Sequence, residues 1–332
     1  MKRVAITYFL AVFLLLACGV GNKNDGSSSV WEMKPAGGAC DTVAIDTMNI
    51  GNPFVMYDNV TDMYCMTGDG GHLWTSRDLR LWTGPYDILR YDTASWVGAS
   101  PAITSPEIHK FGNKYYFMAT FEPGTGAAPR RSCTTLVADS IVGPYVTIDS
   151  RSVLLDASEV AAYPTFCSDE FGAGYMIYNH EGAHSGDGTV QIVRYTDDLG
   201  RRMGEAYVMF TASQVSWARN AAGGFSPLME SPDLFYTGEE GLGMLFTACA
   251  GDGKAVGVAY SATGTLNGPW VVEDEPLLKG VSCASMFNDY DGTLVMVVAK
   301  DTVVGGKRIS VPVLLKADSQ FEKLQIKGHY KF

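Results

Sequence analysis

The sequence predicts an all-β protein, a five-bladed β-propeller, from three recurring features. A Pro-marked strand start appears four times, at Asn52-Pro53-Phe54-Val55, Ser105-Pro106-Glu107-Ile108, Tyr163-Pro164-Thr165-Phe166 and Ser231-Pro232-Asp233-Leu234. These prolines are 53, 58 and 68 residues apart, and a fifth start, Ala284-Ser285-Met286-Phe287, falls roughly one period further on. Each start leads through a short polar turn into a second strand rich in Tyr, Met, Ile or Leu. Three repeats then close on one tripeptide type, Gly84-Pro85-Tyr86, Gly143-Pro144-Tyr145 and Gly268-Pro269-Trp270. There Gly and Pro fix a turn and the ring caps the sheet.

In chain order the second strands are Asp62-Met63-Tyr64-Cys65-Met66, Lys114-Tyr115-Tyr116-Phe117-Met118, Gly174-Tyr175-Met176-Ile177-Tyr178, Gly243-Met244-Leu245-Phe246 and Gly292-Thr293-Leu294-Val295-Met296. Third strands follow, such as Thr134-Thr135-Leu136-Val137-Ala138 and Ala255-Val256-Gly257-Val258-Ala259-Tyr260, with alternating or fully apolar patterning. No stretch has convincing amphipathic helical spacing. The 18% of charged residues against 46% hydrophobic suits many short buried strands. Residues 36–332 read as one propeller domain without an internal linker.

Lys2 and Arg3 precede an apolar run from Val4 to Ala17 that ends at Cys18, too short a run to be a good membrane span. This layout resembles the bacterial lipoprotein signal. Residues 1–18 are thus expected to be a signal peptide region with Cys18 lipidated, and 19–35, rich in Gly, Asn and Ser, a flexible tether. The expected location is the bacterial cell envelope, with a lipid anchor to the membrane. Removing Lys2 and Arg3 leaves 23 basic against 36 acidic residues, a balance of about −13. With no Lys/Arg run, that surface disfavours nucleic acid and anionic polymers and points to a neutral oligo- or polysaccharide. Six further cysteines, Cys40, Cys65, Cys133, Cys167, Cys249 and Cys283, show no C-x-x-C or zinc spacing. Most are expected to be buried free thiols, with one bridge left open.

The order of these signals resembles glycoside hydrolase family 43 and its relatives, five-bladed propellers that cleave arabinose- or xylose-containing glycans. The resemblance rests on Asn52-Pro53-Phe54-Val55, Thr75-Ser76-Arg77-Asp78-Leu79-Arg80-Leu81-Trp82, the run from Ser105 to Tyr116, Glu230-Ser231-Pro232, and Ser285 to Met296. It spans nearly the whole mature chain. The Ser-x-Asp-Leu-x-x-Trp element is shared with neighbouring sugar-cleaving propellers and marks the clan more firmly than the family.

The resemblance implies an inverting reaction with a carboxylate base, a carboxylic acid and a third carboxylate that tunes the acid. Glu230 matches the acid. Asn52 stands at the base position, where an amide cannot accept the proton, and Tyr163 stands where the tuning Asp is expected. Cys283 replaces the His that often holds a central cation, so neither a metal nor another cofactor is expected.

Antiparallel topology returns the end of each second strand to the mouth where the first strand starts. Those ends carry Asp69, Glu122, the pair His180-Glu181, Cys249 and Lys300-Asp301. Glu181 or Glu122 is a candidate replacement base, with His180 to orient it. Asp69, Tyr163 and Cys283 are candidates for holding the substrate, and Trp96 and Trp217 for stacking on a sugar face. Two functions follow: a glycosidase with Glu230 as acid, or a degenerate propeller that binds glycan without hydrolysing it.

Overall fold

A computed structural model describes residues 32–124, 131–148, 160–181, 186–238 and 241–332. The candidate lipoprotein signal and most of the tether lie outside them. The described residues form a five-bladed β-propeller, each blade a separate antiparallel meander of four main strands. Short extra strands add to the outer parts of blades one, two and four. The only helical elements among these residues are three 3-10 turns, Ala36–Gly38, Ile45–Thr47 and Ala212–Gln214.

The innermost strands are Phe54–Asp58, Ala102–Phe111, Val160–Ser168, Met229–Thr237 and Ser282–Asn288. Each Pro-marked start therefore opens, or lies within, an inner strand. The predicted second strands pair with them as Met63–Thr67, Lys114–Glu122, Gly174–Glu181, Gly241–Ala250 and Leu294–Val304. The Gly-Pro-aromatic tripeptides belong to the outermost strands, in blades one, two and four.

Five hydrophobic clusters fill the spaces between neighbouring blades. Leu73 of blade one packs with Phe117 and Tyr145 of blade two, Met118 of blade two with Met176 of blade three, and Phe210 of blade three with Phe246 of blade four. Leu245 then meets Met296 across blades four and five, while Val55 and Met66 of blade one meet Val295 and Val297 of blade five. The ring closes through this last cluster. Each fully buried Leu, Phe or Met contributes roughly 1.5–3 kcal/mol, so a blade is held chiefly by its neighbours.

The shared Ser-x-Asp-Leu-x-x-Trp element is a turn with a physical explanation. Ser76 Oγ accepts the N–H groups of Asp78 and Leu79, and Asp78 Oδ1 accepts those of Arg80 and Leu81 at 2.9 and 2.8 Å. Leu79 takes a φ of 62°, and the fully buried Trp82 donates from Nε1 to its carbonyl at 2.9 Å. Blade three repeats part of this device with Thr196, Asp198 and Leu199, whose φ is 51°.

All six cysteines after Cys18 are free; Cys65, Cys133, Cys167 and Cys283 are buried, Cys40 and Cys249 half-buried. No bridge forms. Burial pushes Cys65 and Cys133 up to about 12, which makes them apolar filling at neutral pH.

Candidate active site

One backbone device is repeated around the mouth. Asn52, Ser105, Tyr163, Ser231 and Cys283, one per blade, have φ values of 48°, 49°, 56°, 48° and 54°. This left-handed conformation costs a non-glycine residue about 1–2 kcal/mol. In blades two to five it falls within a register shift, between Thr104 and Glu107, Ala162 and Thr165, Glu230 and Asp233, and Ser282 and Ser285. Such a bulge re-aims a side chain out of the alternating pattern.

Struts from the preceding blade support the bulges. Asp69 Oδ1 accepts the Ser105 N–H at 3.1 Å, Thr120 Oγ1 that of Tyr163 at 2.8 Å, and Thr247 Oγ1 that of Cys283 at 2.8 Å. Asn179 is the corresponding residue of blade three; it is buried, and neither of its amide atoms has a partner.

On the side of blades three and four, Glu230 is 6% exposed and both of its oxygens are engaged. Tyr163 donates from its hydroxyl to Oε1 at 3.0 Å, and Lys254 places Nζ 2.5 Å from Oε2. Burial of Tyr163 and the adjacent Glu230 charge push the phenol far above its usual value, so it stays a donor. Burial works to lower Lys254, but the charge and hydrogen bond of Glu230 outweigh it, and the ammonium persists. The Arg131 guanidinium lies 5.9 Å from the centre of the Tyr163 ring.

On the side of blades one and five, Asn52 Nδ2 donates to Asp69 at 2.8 and 3.0 Å, and Asn52 Oδ1 accepts the Cys283 thiol at 2.7 Å. Burial and then the Glu230 charge push Cys283 up to about 11, which keeps the thiol protonated and able to donate. The residues do not fit the family's central cation: a protonated thiol that donates to an amide is a poor ligand for a hard dication. No group of three metal-ligating side chains occurs among the described residues.

Below the mouth a second layer lines the inner strands. Glu107 meets His109 Nε2 at 2.7 Å, and Asp233 accepts the Met286 N–H at 3.0 Å. Burial, followed by the Glu107 charge, pushes Asp233 well above the carboxylate range against the pull of that N–H.

Beside Lys254 and Ser282, a cavity of about 420 Å3 between blades four and five is lined also by Asn220, Asp252, Asp301 and Arg308. Arg308 is paired with Asp301 at 2.6 Å, so the lining carries no excess of positive charge. A larger cavity of about 860 Å3, against Tyr236, Phe287 and Lys327, lies at the far end of the blade-four inner strand from Glu230. It is remote from the carboxylates of the mouth.

The structure thus brings together Glu230 with Tyr163, and Asn52 with Asp69 and Cys283. Of the remaining predicted residues, Glu122, Trp96 and Trp217 take no part in these contacts. Glu122 is exposed at the end of its strand, paired in register with Ala102. Glu181 ends its strand opposite Val160, and His180, half-buried, stands opposite Ala161. Trp96 packs against the cluster between blades one and two. Trp217 stacks on Phe246, with centroids 5.9 Å apart and planes 12° from parallel, and donates to Glu273 O at 3.2 Å. Both rings are engaged in packing. Lys254 was missed: a single Lys after Asp252-Gly253 in a hairpin turn reads as a solvated charge, and only its register opposite Cys249 brings it to Glu230.

The model of the glycosyl hydrolases family 43 matches residues 46–301. The chain belongs to that family. Among solved structures, the family 43 protein is similar to an endo-arabinase from Bacteroides thetaiotaomicron VPI-5482, at 22% identity and a TM-score of 0.73, over 87% of this chain and 99% of that one. An endo-1,4-beta-xylanase from the same organism is 20% identical with a TM-score of 0.67, over 87% of this chain and 97% of that one. An alpha-L-arabinanase from Cellvibrio cellulosa is 13% identical with a TM-score of 0.58, over 85% and 96%. No curated protein matches the chain.

Proposed function

We propose that this family 43 protein is a glycoside hydrolase acting on arabinofuranosyl- or xylosyl-containing glycans, with Glu230 as the general acid. The observation that carries the reading is the placement of Glu230, a buried carboxyl at the mouth oriented by Tyr163 and Lys254. The arabinanase and xylanase names of its structural neighbours support the substrate class. In the proposed reaction water attacks the anomeric carbon on one face while Glu230 protonates the leaving oxygen on the other. Glu230 must hold a proton to do so, which requires Lys254 to leave Oε2 as the glycan enters. The Lys254 side chain is 41% exposed and has solvent to move into.

A second reading, glycan binding without hydrolysis, is favoured by Asn52 in the base position and by the Glu230–Lys254 ion pair. Purified protein incubated with arabinan, arabinoxylan and xylan separates the two. Released arabinose, xylose or short oligomers support the hydrolase; glycan retention in affinity electrophoresis with no product on any substrate supports the binder.

We further propose that the chain is tethered to the bacterial cell envelope through lipid on Cys18. Replacing Cys18 with Ala should move the protein from the membrane to the soluble fraction; an unchanged distribution rejects the anchor.

A further inference from the structure

We propose that Asp69 is the general base of this site, standing in for the carboxylate that Asn52 lacks. This assignment rests on the hydrolase reading above. Asn52 fills the expected base position with an amide, and the carboxylate in contact with that amide is Asp69, 17 residues further along the chain. Among the described residues its side-chain contacts are with neutral donors: Asn52 Nδ2 at 2.8 and 3.0 Å, and the Ser105 N–H at 3.1 Å on Oδ1. Its own N–H donates to Gly51 O at 2.9 Å. Oδ2 therefore keeps acceptor capacity for a water.

The local sequence makes room for this carboxylate. A Cβ on Gly51 would stand 2.3 Å from Asp69 Oδ2, so the glycine before Asn52 lets Asp69 approach. Asp69 is exposed, where an attacking water can reach it. Glu230 is buried in the opposite half of the mouth and tied to Tyr163 and Lys254. Asp69 contacts Asn52, Asn52 contacts Cys283, and Cys283 is near enough to Glu230 to feel its charge. An inverting displacement uses two carboxyl groups about 6.5–9.5 Å apart, across a gap that admits the water and the scissile bond, and Asp69 and Glu230 are the pair assigned to those places.

The water oxygen bonds to the anomeric carbon as the glycosidic C–O bond breaks. Asp69 takes the proton of that water, Glu230 gives its proton to the leaving oxygen, and solvent restores both carboxyl groups. Asp69 also acts as the strut for Ser105, so a structural role is the competing explanation. Asp69→Asn keeps one acceptor oxygen for the Ser105 N–H and the Asn52 amide, gives up the second contact to Asn52, and removes the base.

The test measures kcat and KM for wild type and Asp69→Asn on the glycan that wild type cleaves best, with and without added azide. Asp69→Asn is expected to lose about 10²–10⁴ in kcat with KM changed only a few-fold. Azide, a nucleophile with no proton to give up, is expected to restore turnover and yield an inverted glycosyl azide. Gly51→Ala, which displaces the carboxylate without removing it, is expected to lower kcat as well. Wild-type turnover that persists within a few-fold in Asp69→Asn overturns the base assignment alone, as does a folded, inactive Asp69→Asn that azide leaves unchanged; if Asp69→Asn does not fold, an undiminished kcat in Gly51→Ala overturns it. Absence of wild-type turnover overturns the hydrolase reading and this assignment with it.

Discussion

The two halves of the mouth are built on one backbone device and filled with opposite chemistry. Blades three and four present a buried carboxylate closed by a phenol and an ammonium, whereas blades one and five present an amide, a thiol and an exposed carboxylate that meets no cation among the described residues. The left-handed residues of the two halves have φ values between 48° and 56°. Geometry is thus a property of the repeat, and chemistry of the individual side chain. A substitution that removes a charge partner should be costly in the first half and mild in the second.

Lys254→Met should give the largest loss of stability, about 1–3 kcal/mol, because it leaves the Glu230 carboxylate buried with a single partner. Denaturant unfolding reads this directly, and the double variant with Glu230→Gln should recover much of it. A loss that the double variant does not relieve would mean that the lysine stem, rather than the ion pair, was holding the two blades.

Tyr163→Phe should cost about 1 kcal/mol, since it removes the donor to Oε1 and leaves the ring in place. Equal stability of the two proteins would show that the phenol contributes nothing to holding Glu230. In the other half, Cys283→Ala should cost only about 0.5–1 kcal/mol, while Cys283→Ser, which can still donate to Asn52, should stay nearer to wild type. If Cys283→Ala exceeds Lys254→Met, the contrast between the halves fails.

The smallest effect is a pH dependence away from the mouth. Burial works to raise the carboxyl of Asp58, but hydrogen bonds from Tyr115 at 2.6 Å and from Thr61 at 2.7 and 2.9 Å outweigh it and hold Asp58 below its ordinary value. With the folded value below the unfolded one, its stabilisation is present above the usual Asp range near pH 4 and is lost as pH falls through the folded value. Tyr115→Phe should flatten this acid limb in thermal unfolding followed against pH. Asp233 has the opposite sign: its folded value is raised, so its contribution weakens as pH rises through it.

The fold was legible because its punctuation repeats. A proline after each of four left-handed residues, and a Gly-Pro-aromatic turn at three outer strands, marked where strands begin and end. The site was legible only where a side chain stood on such a marker, as Asn52, Tyr163, Glu230 and Cys283 do. Asp69 was readable as a mouth residue from strand return, but its contact with Asn52 depends on the room left by Gly51. Lys254 carried no signal, because a hairpin-turn lysine has the same sequence whether it meets solvent or a buried carboxylate. Trp217 shows the converse error: it was a candidate for stacking on a sugar face, and Phe246 and Gly257 supply its partners instead, with the ring only 2.6 Å from where a Cβ on Gly257 would stand.

Whether the mouth around Glu230 cleaves glycan is read from the rate of sugar release from arabinan or arabinoxylan by wild type beside Glu230→Gln, with glycan affinity measured on both. Wild type should release product and the variant should fall by about 10²–10⁴ while still folded and still binding. Equal rates in the two proteins, or binding by wild type with no release at all, would contradict it.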